Sequence, residues 1–453
     1  MRDKDPRQSP AFVEGFAQTN QPNPNTMLNR CTTKWLALLG SVILTASVAL
    51  AQDNKALLDA LVKKGILTQD EATQIGAEVA SGKTATPVVT GASKYLQKLT
   101  FSGRFQVQFA DIGTTVNNAA PSAHPPATEH FAIRRMYIGA KAELGDGFTG
   151  VFNYDFANLS FDAAYIEWKQ SDALAIDAGL RKVPFGYEET TSSGTLKAIE
   201  RSPATRYFVE SNNGRRLGAG SYHTGLYVGG TQDSGLFYNL AITNPERDEF
   251  STGNSTTNAT PGVNNVGGST NNNLAYWANG GYSGKWSNGS VKGGIEGGYL
   301  PDQGGTAALI GTGQNLQVYG AFGDLTLGSF NLAGEFLAAK NPLGATAIHG
   351  AKPHGYWVQP SYMITKAFEG VARYSYVNSD GRGINLSDGI KYAPSGATMN
   401  KMQELYLGGS WYIKGNDVKF QAGYIIAQSV DTTAGATAKA KTDGFRSQMQ
   451  LNF

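Results

Sequence analysis

The sequence predicts an all-β chain whose strands close into a transmembrane antiparallel β-barrel of about 16 strands. Three observations carry that reading: apolar and polar side chains alternating with a period of two, a high glycine content, and a leader shaped like an export signal. A period of two puts successive side chains on opposite faces of a strand. The segment 444–453, GFRSQMQLNF, shows it: Phe445, Met449, Leu451 and Phe453 alternate with Arg446, Gln448, Gln450 and Asn452. Of 453 residues 56 are glycine, 11% are aromatic and 16% charged, with a net charge of +2. That balance, with no basic run, gives no reason to expect a nucleic-acid partner. Outside the N-terminal region no run of about 18 apolar residues suits a membrane helix.

Residues 1–26 are a polar prelude that an export signal does not need, so Met27 reads as the true start and the prelude as a non-native or dispensable extension. Residues 27–51 carry Arg30 and Lys34, an apolar stretch from Trp35 to Leu50, and Ala49-Leu50-Ala51 before Gln52. This is the form of a signal peptide cleaved after Ala51. A membrane anchor is the alternative, against which stand a short apolar core and the small residues that close it. The single cysteine, Cys31, falls in this leader, so the mature chain is expected to hold no disulfide and no cysteine metal site.

Residues 52–80 read as a helical hairpin. Leu57, Leu58, Leu61 and Val62 share a helical face, Gly65 ends the first helix, and Thr68-Gln69-Asp70-Glu71 opens the second as a capping box. So short a hairpin does not bury its face alone. It associates in an oligomer, packs under the main domain, or remains a loosely ordered tail. Residues 81–98, with Gly82, Pro87 and Gly91, form a linker.

The barrel is expected over 99–453. Strands are placed near 99–110, 131–144, 148–157, 161–170, 173–181, 216–230, 235–243, 274–286, 290–300, 315–323, 329–338, 355–364, 368–377, 403–413, 417–428 and 444–453. In the first, Phe101, Phe105, Val107 and Phe109 face lipid while Arg104, Gln106 and Gln108 face inward. In the second, Met136, Ile138 and Leu144 face outward, with Arg135 and Tyr137 inside; strict alternation then aims Arg134 outward. A sandwich core shows similar alternation. Glycine-rich strands with aromatics near their ends, behind an export signal, favour a barrel in an outer membrane. Connections also alternate between tight turns, such as Gly145-Asp146-Gly147, and long segments 182–215, 244–273 and 378–402, which are expected as outer loops.

About sixteen strands leave an aqueous channel unless something fills it. The candidate filler is 182–215. From Arg181 to Arg216 it holds seven basic residues and four acidic ones, so folded inward it makes a positively biased constriction. An exposed loop of mixed sign is the alternative.

RKVPFGYEE followed by AIERSPATRYF, with FAIRRMYIGAKAEL upstream and ALLDALVKKGILTQDEA near the N-terminus, resembles the phosphate-selective porin O and P family. The resemblance implies a trimeric porin whose lumen carries an arginine ladder leading phosphate to a lysine-lined constriction. By motif, Arg104 and Arg135 match ladder positions, Lys197 matches a constriction lysine, and Arg201 matches the same motif beside Glu200. Arg181 and Lys182, which open the loop, join them as expected pore-lining residues. The terminal Phe453 is, by resemblance to outer-membrane proteins generally, the signal read by barrel-insertion machinery. Glu296, Glu335, Asp155, Glu167 and Asp177 dilute the positive field, so specificity for phosphate stays open against other anions or small solutes generally.

The expected function is a passive channel for small anionic solutes such as phosphate or polyphosphate, a homotrimer in outer-membrane lipid, without cofactor. A general non-selective porin, a structural protein using loop 244–273, and an outer-membrane hydrolase are the alternatives. The five histidines show no metal-ligand spacing such as HExxH, and neither GxSxG nor GxxxxGK[ST] occurs, so no catalytic residues are assigned.

Overall fold

The computed structural model describes residues 62–63, 68–69, 95–117, 127–210, 216–244, 274–301, 315–340, 350–394, 398–431 and 438–453. The chain divides into two units, 1–85 and 86–453. The expected prelude and signal peptide, most of the hairpin and linker, and nearly all of loop 244–273 lie outside the described residues.

Sixteen strands close the barrel. They are β1 (Lys98–Asn117), β2 (Thr128–Gly145), β3 (Phe148–Asp155), β4 (Ser160–Ser171), β5 (Leu174–Lys182), β6 (Tyr222–Thr231), β7 (Leu236–Thr243) and β8 (Ala275–Trp286). There follow β9 (Gly289–Leu300), β10 (Leu316–Leu327), β11 (Phe330–Lys340), β12 (His354–Met363), β13 (Phe368–Asn378), β16 (Lys401–Lys414), β17 (Val418–Asp431) and β18 (Ala438–Asn452). Two short strands, β14 (Ile384–Asn385) and β15 (Thr398–Met399), pair only with each other. Each barrel strand bonds antiparallel to the next, and β1 returns to β18, so no edge is left unpaired. In hydrocarbon, where backbone groups find no water, closure of this kind is required.

All sixteen expected barrel strands are present. The largest shifts lie at ends: β1 runs on to Asn117, β18 begins at Ala438, and the strand expected from residue 216 begins at Tyr222. The alternation sorts faces as expected along most of the wall. Phe101, Ile138, Ile166 and Ile295 stay exposed on the outside, whereas Gln106, Gln108, Lys419 and Gln421 are buried inside.

One face assignment is overturned. The β1–β2 register jumps between Gln106, opposite Arg135, and Val107, opposite Ile133. Arg134 is therefore the extra residue of a β-bulge, and the alternation changes phase there. Phe131 and Ile133 point out, Arg134 and Arg135 both turn inward, and Met136 points out again.

At the seam, Gly103 exchanges backbone hydrogen bonds with Phe453, N–H to carbonyl at 2.8 and 3.1 Å. A Cβ on Gly103 would stand 2.2 Å from Cζ of the Phe453 ring, so the missing side chain is the seat of the terminal aromatic.

The segment after β5 folds inward. It contains α1 (Tyr187–Thr190) and α2 (Pro203–Phe208), the latter capped by Ser202, whose side chain accepts from the Thr205 N–H. Val183, Phe185, Ile199, Tyr207 and Phe208 are buried. The segment 378–402, expected as an outer loop, also folds back: Ile384, Leu386 and Ile390 of the region around α3 (Leu386–Gly389) are buried. There Arg206 Nη2 donates to the Ser387 carbonyl at 3.1 Å and Tyr207 Oη to that of Gly383 at 3.4 Å. Apolar Leu and Ile side chains in a long polar segment need a partner, and α2 supplies it.

Candidate functional site: the lumenal wall

The inward segment lies against one side of the barrel. Tyr187 Oη donates to Asp324 on β10 at 2.7 Å, and Lys197 Nζ reaches Ser361 on β12 at 2.8 Å and Glu369 on β13 at 2.6 Å. Ala204 N–H donates to Ser375 on β13, while Lys419 on β17 and Gln450 on β18 donate to the carbonyls of Leu196 and Gly194. Arg373 on β13 sits between Glu188 of the segment at 3.0 Å and Glu404 of β16 at 2.9 Å. These contacts fill the β10–β18 side with hydrogen bonds and closed ion pairs. A buried charge without such partners would be costly, which is why they converge.

The opposite side stays open. A cavity of about 1080 Å³ runs along β1–β6. Its wall carries eight cationic side chains, including Arg104, Arg135, Arg181 and Lys182, against four carboxylates, Asp155, Asp162, Glu189 and Glu210. A second cavity of about 480 Å³ shares Arg181, Lys182 and Thr190 with the first and extends to Lys292 on β9.

The cations of this wall fall into two kinds. Some are paired: Arg201 Nε stands 2.7 Å from Glu189, Lys182 Nζ 3.1 Å from the same carboxylate, and Arg216 2.6 Å from Glu210, which it shares with Arg206 of α2, behind the wall, at 2.8 Å. Arg181 pairs with Asp177 and lies between the rings of Tyr165 and Tyr227, 5.4 and 5.1 Å from their centroids. Others have neutral neighbours. Arg104 donates to Asn452 at 2.9 Å, Ser193 at 2.7 Å and Ser192 at 3.1 Å, and Arg135 donates to Gln106 at 2.8 Å. Neither has a carboxylate within ion-pair distance among the described residues.

Toward the end from which the long segments leave, Arg134 grips Glu200 through Nε at 2.6 Å and Nη2 at 3.1 Å, a planar fork on a carboxylate. Burial pushes the Glu200 carboxyl up, but Arg134, Arg135 and Arg446 outweigh it and hold it well below the usual carboxylate range. At Glu210 burial likewise opposes Arg206 and Arg216, which prevail and bring the carboxyl down to about 2. Burial, reinforced by Arg134 and Arg206, brings the Lys391 ammonium down to about 8.

Of the residues expected from sequence, Arg104, Arg135, Arg181, Lys182 and Arg201 line the first cavity. Lys197 lies apart from them, tied to Glu369. Sequence reasoning missed Arg134, hidden by the bulge, and Lys391, which comes from a segment expected to lie outside.

A closed sixteen-stranded antiparallel barrel with an apolar outer face, an inward-folded segment and a charged water-accessible wall defines a porin-type channel of the outer membrane. The chain belongs to the phosphate-selective porin O and P family, whose family model matches residues 99–453. Among solved structures it is similar to an anion-selective porin from Comamonas acidovorans, at 11% identity and a TM-score of 0.51, covering 79% of this chain and 99% of that one. The outer membrane channel DcaP of Acinetobacter baumannii is also similar, at 12% identity and a TM-score of 0.49 over 80% of this chain and 100% of that one. The trimer form of the outer membrane protein OmpT of Vibrio cholerae shows 12% identity and a TM-score of 0.46, over 79% and 99%. A search of curated proteins finds no match.

Proposed function

We propose that this porin passes small anions, phosphate or polyphosphate among them, along the β1–β6 wall. The observation that carries the reading is the surplus of cationic side chains on the open wall, with Arg104 held, among the described residues, only by neutral oxygens. Such a guanidinium keeps its positive field for a passing solute, and its remaining N–H groups offer an anion directed hydrogen bonds. Arg135, 3% exposed, acts through its field. The paired cations are weaker attractors because each shares a carboxylate. This grading suits conduction, which needs binding favourable enough for entry and weak enough for release. The proposal includes a homotrimer, as the family resemblance implies, export by cleavage after Ala51, and recognition of Phe453 during insertion.

Reversal potential across a salt gradient in planar bilayers tests the reading. Preference for chloride over potassium, and block of chloride current by added phosphate, are expected. Equal permeability to both ions would favour a general non-selective porin, for which the four carboxylates of the same wall are the supporting observation.

A further inference from the structure

The outer surface of the barrel carries a cavity of its own. It measures about 450 Å³ and lies across β13, β16, β17 and β18, toward the end from which the long segments leave. Its floor includes Leu405 and Ile426, which are 37% and 44% exposed. Along one level of the groove Tyr374 Oη donates to Gln403 at 3.2 Å, and the Gln403 amide donates to Gln428 at 3.1 Å. Register sets Ile426 opposite Asp443 and Gln428 opposite Lys441. Moving outward, this face therefore passes from Tyr424 and Phe445 to a level of Leu405, Ile426 and Asp443, then to a level of Gln403, Gln428 and Lys441, and last to Lys439.

Apolar side chains below, with amides and ammonium groups above them, match the order in which a membrane lipid presents its acyl chain and then its polar linkage and headgroup. The two lysines are available to a headgroup. Lys441 Nζ stands 3.9 Å from Asp443, a loose exposed contact, and that carboxylate already accepts from Tyr424 Oη at 3.0 Å. Lys439 makes no ion pair among the described residues. Ammonium groups are compact point charges on flexible stems and suit a phosphate whose position is not fixed by a planar fork.

We propose that this groove seats a phosphorylated acyl lipid of the outer leaflet. Its chain lies along Leu405 and Ile426, its polar linkage against Gln403 and Gln428, and its phosphate between Lys439 and Lys441. The site is on the lipid side of the wall and is independent of solute passage through the lumen.

The test uses the purified full chain in detergent, incubated with a diphosphorylated acyl diglucosamine lipid or with the same lipid lacking phosphates, and read by native mass spectrometry. The phosphorylated lipid should be retained about tenfold more strongly. A Lys439→Ala, Lys441→Ala double variant should lose that preference, with heat-modifiable mobility and conductance unchanged. Ile426→Trp, which fills the floor, should lower retention of both lipids, and Lys169→Ala at the opposite rim should change nothing. Undiminished preference in the double variant overturns the proposal, as does undiminished retention in Ile426→Trp. Competition by the acyl-free diphosphorylated headgroup as strong as by intact lipid would assign the lysines to free phosphate instead.

Discussion

On the β10–β18 side of the lumen Arg373 is 1% exposed and flanked by two carboxylates; on the β1–β6 side Arg104 meets a wide cavity and, among the described residues, bonds only neutral oxygens. The same residue type does different work in the two places. In the filled half a cation joins the segment to the wall, and its charge is cancelled locally. In the open half it is held by hydroxyl and amide groups, and its charge remains as a field in water. Sequence charge counts do not separate the two, because what matters is whether a carboxylate lies within about 4 Å.

The largest expected effect breaks the filled half. Arg373→Met leaves Glu188 and Glu404 without their shared cation, and loss of one partner of a buried pair costs about 3–5 kcal/mol. Urea titration followed by heat-modifiable mobility should show that loss; a variant as stable as the parent would mean this half is not held by its charges. Next comes the seam joining the halves. Gly103→Leu drives a side chain into the Phe453 ring, and overpacking of this kind costs about 1–3 kcal/mol. Slower or less complete assembly is expected, and unchanged folding kinetics would show that the ring relocates freely.

A smaller effect sharpens the open half. Arg104→Gln removes one charge while keeping a hydrogen-bonding side chain for Ser192, Ser193 and Asn452. Anion preference from reversal potentials should fall by up to about tenfold, equivalent to about 1.4 kcal/mol. The fall should be greater at low salt, where screening is weaker. Arg134→Glu is the contrasting variant: it removes the clasp on Glu200 and should impair assembly as well. If both variants altered only selectivity, the distinction between clasping and field-making arginines would collapse.

The smallest effect is a pH dependence. Lys391, brought down to about 8, lies among Arg134, Arg206, Glu200 and Glu210, with Arg446 bonded to its carbonyl and Tyr392 beside it. It is protonated below that value and neutral above it, so raising the pH from 7 to 9 removes one positive charge from the wall. Anion preference should weaken modestly over that interval in the parent and stay flat in Lys391→Met. An equal slope in both would place the titrating group elsewhere.

Much of the architecture was legible because a lipid-facing barrel repeats one local rule. Phe101, Phe105 and Val107 against Arg104, Gln106 and Gln108 need only the period of two to be sorted. The inward course of the segment after β5 could be anticipated from its length and charges. What escaped was non-local. Lys197 looks the same in sequence whether it faces water or Glu369 of β13, more than 170 residues away. The burial of Ile384, Leu386 and Ile390 depends on α2, which no local pattern connects to them. Arg134 was missed because the alternation carries no mark of where it skips.

That skip has a consequence of its own. A strand is read in a two-letter frame, and the bulge at Arg134 acts as an inserted letter whose effect is confined to one stretch of wall. On this reading, excising Arg134 should leave Phe131 and Ile133 facing lipid and Arg135 facing water, with the ladder to β1 merely straightened. Inserting a residue between Tyr137 and Ile138, where no bulge exists, would put the frame out of step and present water-side groups to hydrocarbon. The barrel wall thus contains a point at which the chain tolerates a change of length better than a change of letter, and selection could have added a second inward cation there without rewriting either flank.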